Sequence, residues 1–519
     1  MENQYLDIPK EKFAFVQTDA NLHDKKLQTK ARSYFADAMI RFKKNKSSVV
    51  AAYILAFLIL FALFVPIFSP YPLELTDPNR RYVNYAPFIP SIADKGLGIF
   101  DGAVKVESAT EAAYQGFLGT AKETGMNPII SIDGITTNLE PYRGKMREIK
   151  FYELTVNAYF KLGVMTLLVN EADYKAILDW QNETGIQVIY PWVESSDICD
   201  IKDDPNIWYK VKDGKGNPDF DADGNFQPAY CSTDYLEGWD YTSNRIEGDD
   251  GSWIYSKGVT KREDGTFSTA NIRICYYNYY TYKIGHEPSY VFGTDEKCRD
   301  LFTAIGCGAR FSLIFALLVS VINMFIGAIY GAIMGYYGGA VDLIMDRIID
   351  ILDGLPFVVC ATLFQLHLSQ KVGVVPAFLF AFVLTGWTGM ASLVRKQFYR
   401  FKGQEYVMAA RTLGASDKRL IFKHIFPNSL GTIITSCALI IPGVIGSETN
   451  LTYLGIINLS DFAGTSIGDL MALGQNGYMT HPHSLFFPAL FVSLLLICFN
   501  LFGNGLRDAF NPSNRGVED

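Results

Sequence analysis

The stretch Glu405-Tyr-Val-Met-Ala-Ala-Arg-Thr-Leu-Gly414 decides how this 519-residue chain is interpreted. It lies in a basic segment between two apolar runs, residues 372–394 and 425–447, neither of which contains Asp, Glu, Lys or Arg. Residues 405–413 have the composition of a short amphipathic helix that Gly414 can end. A second helix is expected over residues 415–425, and Pro427 is expected to stop it. The sequence therefore predicts a helical elbow, residues 405–425, on one face of a membrane.

Six charge-free apolar runs set the fold class. A helix needs about 20 mostly apolar residues to cross the ~30 Å hydrocarbon layer of a bilayer, and five of the runs reach that length. The third run is shorter, but apolar residues precede it, and a short span can tilt or thin the bilayer locally. The runs are residues 47–73, 311–337, 354–370, 372–394, 425–447 and 484–506. We therefore predict an α-helical polytopic membrane protein with six transmembrane helices.

The distribution of charge predicts the orientation in the membrane. Residues 71–297 contain 35 acidic and 22 basic side chains, so the net charge of −8 hides a remainder that is net positive. Basic side chains cluster before the first run and between the fourth and fifth runs, and basic loops face the cytoplasm. Both termini are therefore expected on the cytoplasmic side of the plasma membrane. The predicted segments are a cytoplasmic tail (1–46), a first transmembrane helix (47–73), five further helices (300–506) with a cytoplasmic loop (395–428), and a cytoplasmic tail (507–519).

Residues 75–290 differ in composition and predict a separate extracellular domain. They contain no long apolar run, and their number lies within the usual range of 50–250 residues for a domain. Residues 167–169 and 186–190 are predicted to be strands. Residues 171–182 between them have helical spacing, and Gly185 is placed to end that helix. We expect an inserted domain of the α+β or α/β class.

Two patterns in the insertion predict a calcium ion or a cross-link. Asp219, Asp221 and Asp223 alternate before a glycine, as in the first half of a calcium-binding loop, but the glutamate that completes such a loop is missing. A solvated Asp-Gly turn explains the same residues. Cys199 and Cys231 are candidates for a disulfide in an oxidising exterior, with free thiols as the alternative. The calcium ion and the disulfide are therefore both predictions with an open alternative.

The elbow resembles the coupling loop of a known transporter family. In the permease subunits of the oligopeptide, dipeptide and nickel branch of bacterial ABC importers, two alanines, three further residues and a glycine are followed by a proline thirteen residues later. The matching residues here are Ala409, Ala410, Gly414, His424, Pro427 and Asn428. Met408 replaces the usual acidic residue, which leaves Glu405 as the nearest carboxylate. The resemblance covers residues 40–70 and 290–515 and does not extend to the insertion.

The resemblance implies a fold and a mechanism. It implies the type I importer permease fold, a second related permease subunit, two ATPase subunits that hold ATP and Mg²⁺, and a lipid-anchored or periplasmic receptor that delivers peptide. The chain has no Gly-x-x-x-x-Gly-Lys-Ser/Thr motif, so the ATPase must be a partner. We expect a permease and not an enzyme, with no cofactor of its own except the calcium ion considered above, in contact with lipid and with no nucleic acid. Coupling to the ATPase is assigned to Glu405, Ala409, Ala410, Arg411, Gly414, His424 and Pro427.

Three residues are candidates for the substrate pathway: Trp387, Glu448 and Asn500. Glu448 follows the fifth run and is expected to face outward, either toward substrate or receptor or as a helix-end carboxylate in water. Asn500 also suits a hydrogen bond to a neighbouring helix, and Trp387 suits packing or an interface anchor. Other functions stay open: a membrane-anchored extracellular enzyme or sensor, an importer of nickel or another small solute, and an exporter or passive channel.

Overall fold

The structure, a computed structural model, describes residues 34–75, 77–142, 145–192, 248–261, 267–459 and 464–510. The description of the N-terminal tail begins at residue 34, and that of the C-terminal tail ends at residue 510. The predicted calcium and disulfide residues lie outside the described ranges, so these predictions remain predictions. They are Asp219, Asp221, Asp223, Cys199 and Cys231.

The N-terminal part forms two helices, α1 (Tyr34–Lys44) and α2 (Lys46–Phe68), separated by Asn45. The Asn45 side chain caps α2, because its oxygen accepts a hydrogen bond from the backbone N–H of Ser48 at 3.3 Å. The buried residues of α2 recur every three or four positions. One face of α2 therefore packs inside the protein, while the opposite face is apolar and exposed, as suits a helix in contact with lipid.

The described part of the inserted segment contains two antiparallel sheets. One sheet has the strand order β1-β3-β2, and the other has β4-β7-β5 with β6 also paired to β7. Because every described pairing is antiparallel, the inserted domain belongs to the α+β class. Its elements are α3 (Pro90–Ala93), β1 (Ala103–Thr110), α4 (Glu111–Thr124), β2 (Ile129–Tyr142), β3 (Lys145–Asn157), α5 (Ala158–Lys161), β4 (Val164–Val169), α6 (Glu171–Thr184), β5 (Ile189–Tyr190), β6 (Ser256–Lys261), β7 (Phe267–Cys275) and α7 (Tyr276–Ile284).

The three elements predicted in this segment are present, with one shortened. The strand predicted over residues 167–169 lies in β4, and the predicted helix is α6, which ends at Gly185 with φ of 72°. The strand predicted over residues 186–190 is reduced to Ile189 and Tyr190, because only these two residues pair with β7.

Aromatic packing and one buried ion pair hold the inserted domain together. Arg273 on β7 donates two hydrogen bonds to the Glu123 carboxylate of α4, both at 2.8 Å, and both side chains are almost fully buried. Such a bidentate pair fixes the helix on the sheet through geometry as well as charge. The most completely buried tyrosines of the domain and its root are Tyr82, Tyr159, Tyr276, Tyr280 and Tyr290.

The two ends of the insertion meet in a joint that we call the root, residues 77–88 and 290–300. Phe88 and Tyr290 exchange two backbone hydrogen bonds, at 2.9 and 2.7 Å. The chain thus leaves and rejoins the membrane part through one closed, hydrogen-bonded base. The inserted domain is mounted on the bundle and is not a loosely tethered module.

Buried charges also stabilise the root. Asp295 and Arg299 form an ion pair at 2.7 Å, with both side chains buried. Asp77 accepts a hydrogen bond from the Tyr82 backbone N–H at 2.8 Å and another from the Tyr276 hydroxyl group. Separating the partners of these buried carboxylates would leave a charge buried without compensation. Large movements within the root are therefore disfavoured.

The described residues after the root form helices and the turns between them. Its elements are α8 (Leu301–Tyr337), α9 (Gly339–Asp353), α10 (Phe357–His367), α11 (Ser369–Val372), α12 (Val374–Gly386), α13 (Thr388–Lys402), α14 (Glu405–Thr412), α15 (Asp417–Arg419), a π-helical turn (Leu420–Ile425), α16 (Phe426–Tyr453), α17 (Ile467–Asn476) and α18 (His483–Phe510). We call the end of this bundle that carries the root the domain end, and the opposite end, after α13, the elbow end.

Among the residues that the structure describes, five continuous helical segments are long and apolar enough to cross a membrane. They are α2, α8, α12 with α13, α15 through α16, and α18. A sixth span exists if α9 and α10, which are bent by 74° at residues 354–356, are counted together. The predicted count of six therefore depends on this broken helix. Its bend lies at Pro356, which has no backbone N–H to continue a helix.

Ion pairs tie α9 to α13 near the elbow end. Arg395 on α13 donates to Asp342 at 2.6 Å and to Asp346 at 2.7 Å, and Tyr399 donates to the same oxygen of Asp342 at 2.6 Å. A single guanidinium group thus serves two carboxylates on successive turns of α9. This arrangement satisfies charges that lie beside an apolar helix bundle.

A stripe of glycines brings α8 into close contact with α13. A Cβ atom added at Gly335 would lie 2.6 Å from Cβ of Phe398, and one at Gly327 would lie 2.7 Å from the carbonyl oxygen of Trp387. At Gly331 it would overlap the carbonyl oxygen of Ala391. Small residues at four-residue spacing let helix backbones approach closely in membranes.

Gly331→Ala is expected to destabilise the bundle by about 1–3 kcal/mol, because the added methyl group overpacks the contact between α8 and α13. Thermal unfolding of the purified protein in detergent measures the effect. Gly389→Ala is the matched control, since this helical glycine of α13 has no atom within 4 Å of an added Cβ. Equal melting temperatures for the two variants would contradict the close packing.

Candidate functional site

The elbow consists of α14, α15 and the π-helical turn that follows. The short helix expected over residues 405–413 is observed as α14. Gly414 then adopts a φ of 85°, in the left-handed region that favours glycine, and its N–H bonds to the carbonyl of Arg411 at 3.0 Å. The chain therefore turns sharply at Gly414, as expected from the sequence.

The expectation that Pro427 stops the second helix is wrong. The helix continues through the π-helical turn into α16, so that residues 417–453 form one continuous rod with Pro427 near the start of α16. A proline lacks an N–H and crowds the carbonyl four residues earlier. The wider π-helical turn directly before it loosens that part of the hydrogen-bond ladder and makes room for the ring.

The elbow is fixed to the end of α8. The Tyr336 hydroxyl donates to Asp417 of α15 and accepts a hydrogen bond from Arg411 of α14 at 3.4 Å. The Arg411 guanidinium also lies 5.9 Å from the centre of the Tyr336 ring. Arg411, expected to couple to an ATPase, therefore interacts within this chain. The elbow residues buried beneath these contacts are Val407, Leu420 and Ile425.

The opposite face of the elbow is exposed and partly apolar. Leu413 is 88% exposed, and Ala410 is half-buried against the apolar side chains below. The exposed residues of the elbow include Glu405, Met408, Ala409, Leu413 and Phe422. Met408, Leu413 and Phe422 were not predicted as site residues, although large apolar side chains in a polar loop are a sequence signal for an exposed apolar patch.

His424 and Asn428 lie where the elbow joins α16. The Asn428 side chain donates to the carbonyl oxygen of His424 at 2.7 Å and to the hydroxyl oxygen of Tyr406 at 3.2 Å. Partial burial raises the pKa of the Tyr406 hydroxyl group above its ordinary value. The Asn428 amide thus joins the start of α14 to the start of α16.

Trp387 and Asn500, two of the three pathway candidates, lie in different surroundings. Trp387 is 9% exposed and packs against Tyr330 of α8 with 4.6 Å between ring centres, as expected of a packing residue. Asn500 is exposed on α18 and donates to the Leu496 carbonyl of its own helix at 2.9 Å. A pathway role for either residue stays a prediction.

Glu448 is completely buried, so the alternative of a helix-end carboxylate in water is wrong, while its place on the outer side of the membrane and in the substrate pathway stays a prediction. The helix α16 continues to Tyr453 and does not end at residue 447, which places Glu448 inside a helix that packs against α8. Ser312 of α8 donates to Glu448 Oε2 at 2.8 Å. A buried carboxyl group at an interface between helices is costly and suggests a functional role.

Comparison with known proteins shows what the bundle is. The family described as the binding-protein-dependent transport system inner membrane component matches residues 327–516, and the N-terminal transmembrane domain of oligopeptide transport permease C matches residues 33–87. The dipeptide transport system permease protein of Bacillus subtilis is 40% identical over 228 residues, which are 43% of this chain and 69% of that protein. This chain belongs to the family of binding-protein-dependent transport permeases.

Other relatives agree with this assignment. The oligopeptide transport system permease proteins of Bacillus subtilis and Escherichia coli K12 are 40% and 35% identical, and the matches cover 72% and 74% of their lengths. Among solved structures, the inward-facing MetNI methionine ABC transporter has a TM-score of 0.33 and 14% identity, covering 41% of this chain and 96% of that one. The family match and the long apolar helices confirm the expected fold, a multi-pass helical permease with an inserted domain.

Tyr336→Phe is expected to loosen the elbow of the permease, because it removes the hydroxyl group that joins Asp417 and Arg411 to α8. Hydrogen bonds to charged groups contribute about 1.5–3 kcal/mol, so amide exchange in residues 405–425 should accelerate by about tenfold or more. Hydrogen–deuterium exchange measures this change.

The matched control for this prediction is Tyr337→Phe, because Tyr337 is the next residue of α8 and its side chain is 57% exposed. Unchanged exchange in the elbow of the Tyr336→Phe variant would show that the hydroxyl group does not anchor it.

Proposed function

We propose that this permease forms half of the translocation pathway of an ATP-driven importer of oligopeptides or dipeptides. The observation that carries the proposal is the similarity at 35–40% identity to peptide-transport permeases of Bacillus subtilis and Escherichia coli. The second half of the pathway is a related permease subunit, and a lipid-anchored or periplasmic receptor delivers the peptide.

The elbow is the proposed attachment point for one of two separate ATPase subunits. Its exposed residues include Met408 and the small Ala409 within α14 and Leu413 directly after it, and Leu413 is the most exposed apolar side chain among them. Its buried face is bonded to α8 through Tyr336. A force applied to Leu413 would therefore reach a membrane helix directly and would not be absorbed by a flexible loop.

The proposed orientation places the elbow in the cytoplasm and the inserted domain outside the cell. This follows the excess of Lys and Arg around the elbow and the acidity of the insertion. In this orientation, ATP and Mg²⁺ act only in the partner ATPases on the elbow side. The inserted domain stands where a receptor would approach, and its role is proposed to be contact with the receptor or the pathway.

The open alternatives are supported less well. An importer of nickel would need ligands for the metal, and within the described ranges no group of three or more His, Cys, Asp or Glu side chains is arranged to hold an ion. An extracellular enzyme or sensor that uses the helices only as an anchor would have no use for an elbow bonded to α8.

Leu413→Glu is expected to weaken attachment of the ATPase by about 30-fold or more, because a charge would replace an apolar anchor at the centre of the docking face. Purification through a tag on the permease, with quantification of the ATPase subunits and of peptide uptake, measures the loss. Both quantities should fall together.

Met479→Glu is the control for this experiment, since Met479 is 80% exposed at the domain end of the bundle. If the Leu413→Glu variant retains its ATPases and its peptide uptake at the level of this control, the elbow does not couple the two subunits.

A further inference from the structure

The short helix α17 is held at both ends by the root of the inserted domain. Arg299 donates a hydrogen bond to the Gly464 carbonyl, in the loop before α17, at 3.1 Å. His483 follows α17 and lies against the root, where a Cβ added at Gly293 would be 2.9 Å from its ring. The inserted domain therefore cannot move far without taking α17 with it.

From the opposite side, α17 sits directly on two spans. A Cβ atom added at Gly308 of α8 would lie 2.9 Å from the backbone nitrogen of Ile467, and one added at Gly468 of α17 would overlap the Thr452 side chain of α16. Ser466 caps α17 reciprocally with Asp469, at 3.2 and 3.1 Å. The start of α17 is thus seated between α8 and α16.

Glu448 lies in this seat, where it joins α16 to α8. Its Oε2 atom accepts the bond from Ser312, while its Oε1 atom, although buried, has no hydrogen-bond partner among the described residues. One turn further along α16, the Thr452 hydroxyl lies 3.5 Å from the hydroxyl of Ser466, the residue that caps α17. Neither the elbow nor the packing of the glycine stripe accounts for this carboxyl group.

We propose that Glu448 is a positioning residue that holds the seat of α17, so that α17 and the root of the inserted domain close the domain end of the pathway as one unit. This inference rests on the proposed transport function. It assigns the inserted domain a mechanical role, because opening at this end requires α17, clamped to the root, to leave α8 and α16.

The hydrogen bond between Ser312 and Glu448 holds α8 and α16 at the spacing in which α17 is seated, and in this way it favours the closed arrangement. Loss of one buried hydrogen bond shifts an equilibrium between two states by about tenfold. The bond needs an acceptor at Oε2 but no charge. A glutamine can place its carbonyl oxygen at Oε2, where it accepts the Ser312 bond, so it should preserve the closure.

The experiment uses the permease assembled with its partner subunits in liposomes and measures leakage of a small entrapped dye without ATP. Ser312→Ala and Glu448→Leu are expected to raise the leak rate by about tenfold, and Glu448→Gln is expected to keep it at the wild-type level. Ser320→Ala is the matched control, because Ser320 is a fully buried serine of α8 whose hydroxyl has no described partner.

These variants distinguish an effect on the closure of the pathway from an effect on the folding of the protein. Increased leakage at an unchanged melting temperature, restored by glutamine, supports the proposal. A Ser312→Ala leak equal to that of Ser320→Ala would overturn it, and this comparison decides the matter even if Glu448→Leu does not assemble. Peptide uptake by the wild-type complex is measured separately, so failure of the transport proposal is distinguished from failure of the closure.

Discussion

Both candidate sites are bonded to one helix, α8, and the rest of the architecture depends on how that helix is held. Its 37 residues form an uninterrupted rod. Ser312 bonds to Glu448 near one end, and Tyr336 bonds to the elbow near the other. At 1.5 Å per residue these two contacts are about 36 Å apart. A single stiff element thus connects the face proposed to meet the ATPase with the end that carries the inserted domain.

Glycines give α8 this central place. Its glycine stripe packs against α13, and Gly308 packs against the start of α17. Gly306 approaches α2, where an added Cβ would lie 3.2 Å from Val65 and Pro66. Backbones that touch at several levels cannot slide past one another by small increments, so movement of α8 must carry its neighbours. Because of this close packing, a displacement of α8 at the elbow end would be transmitted through the helix itself to the domain end, and flexible loops are not required.

Much of this structure could be predicted from sequence, and the failures have physical causes. Charge-free runs predicted the long helices because the hydrocarbon layer demands them. The turn at Gly414 was predictable because local geometry selects glycine there. The continuation of the helix past Pro427 and the burial of Glu448 could not be predicted. A π-helical turn and the length of α16 both depend on contacts with neighbouring helices. The exposure of Leu413 was not predicted, because the resemblance to the coupling loop rests on the neighbouring alanines and glycine. The inserted domain, outside the resemblance, could be predicted only as isolated elements.

The most direct test of the link through α8 is the reactivity of a cysteine placed at Gln475, an exposed residue of α17, in the complex with its ATPase partners. Labelling by a maleimide is compared with and without a non-hydrolysable ATP analogue. The account predicts that nucleotide binding at the elbow end changes the labelling rate of this residue at the domain end. An unchanged rate in a complex that still imports peptide would contradict it.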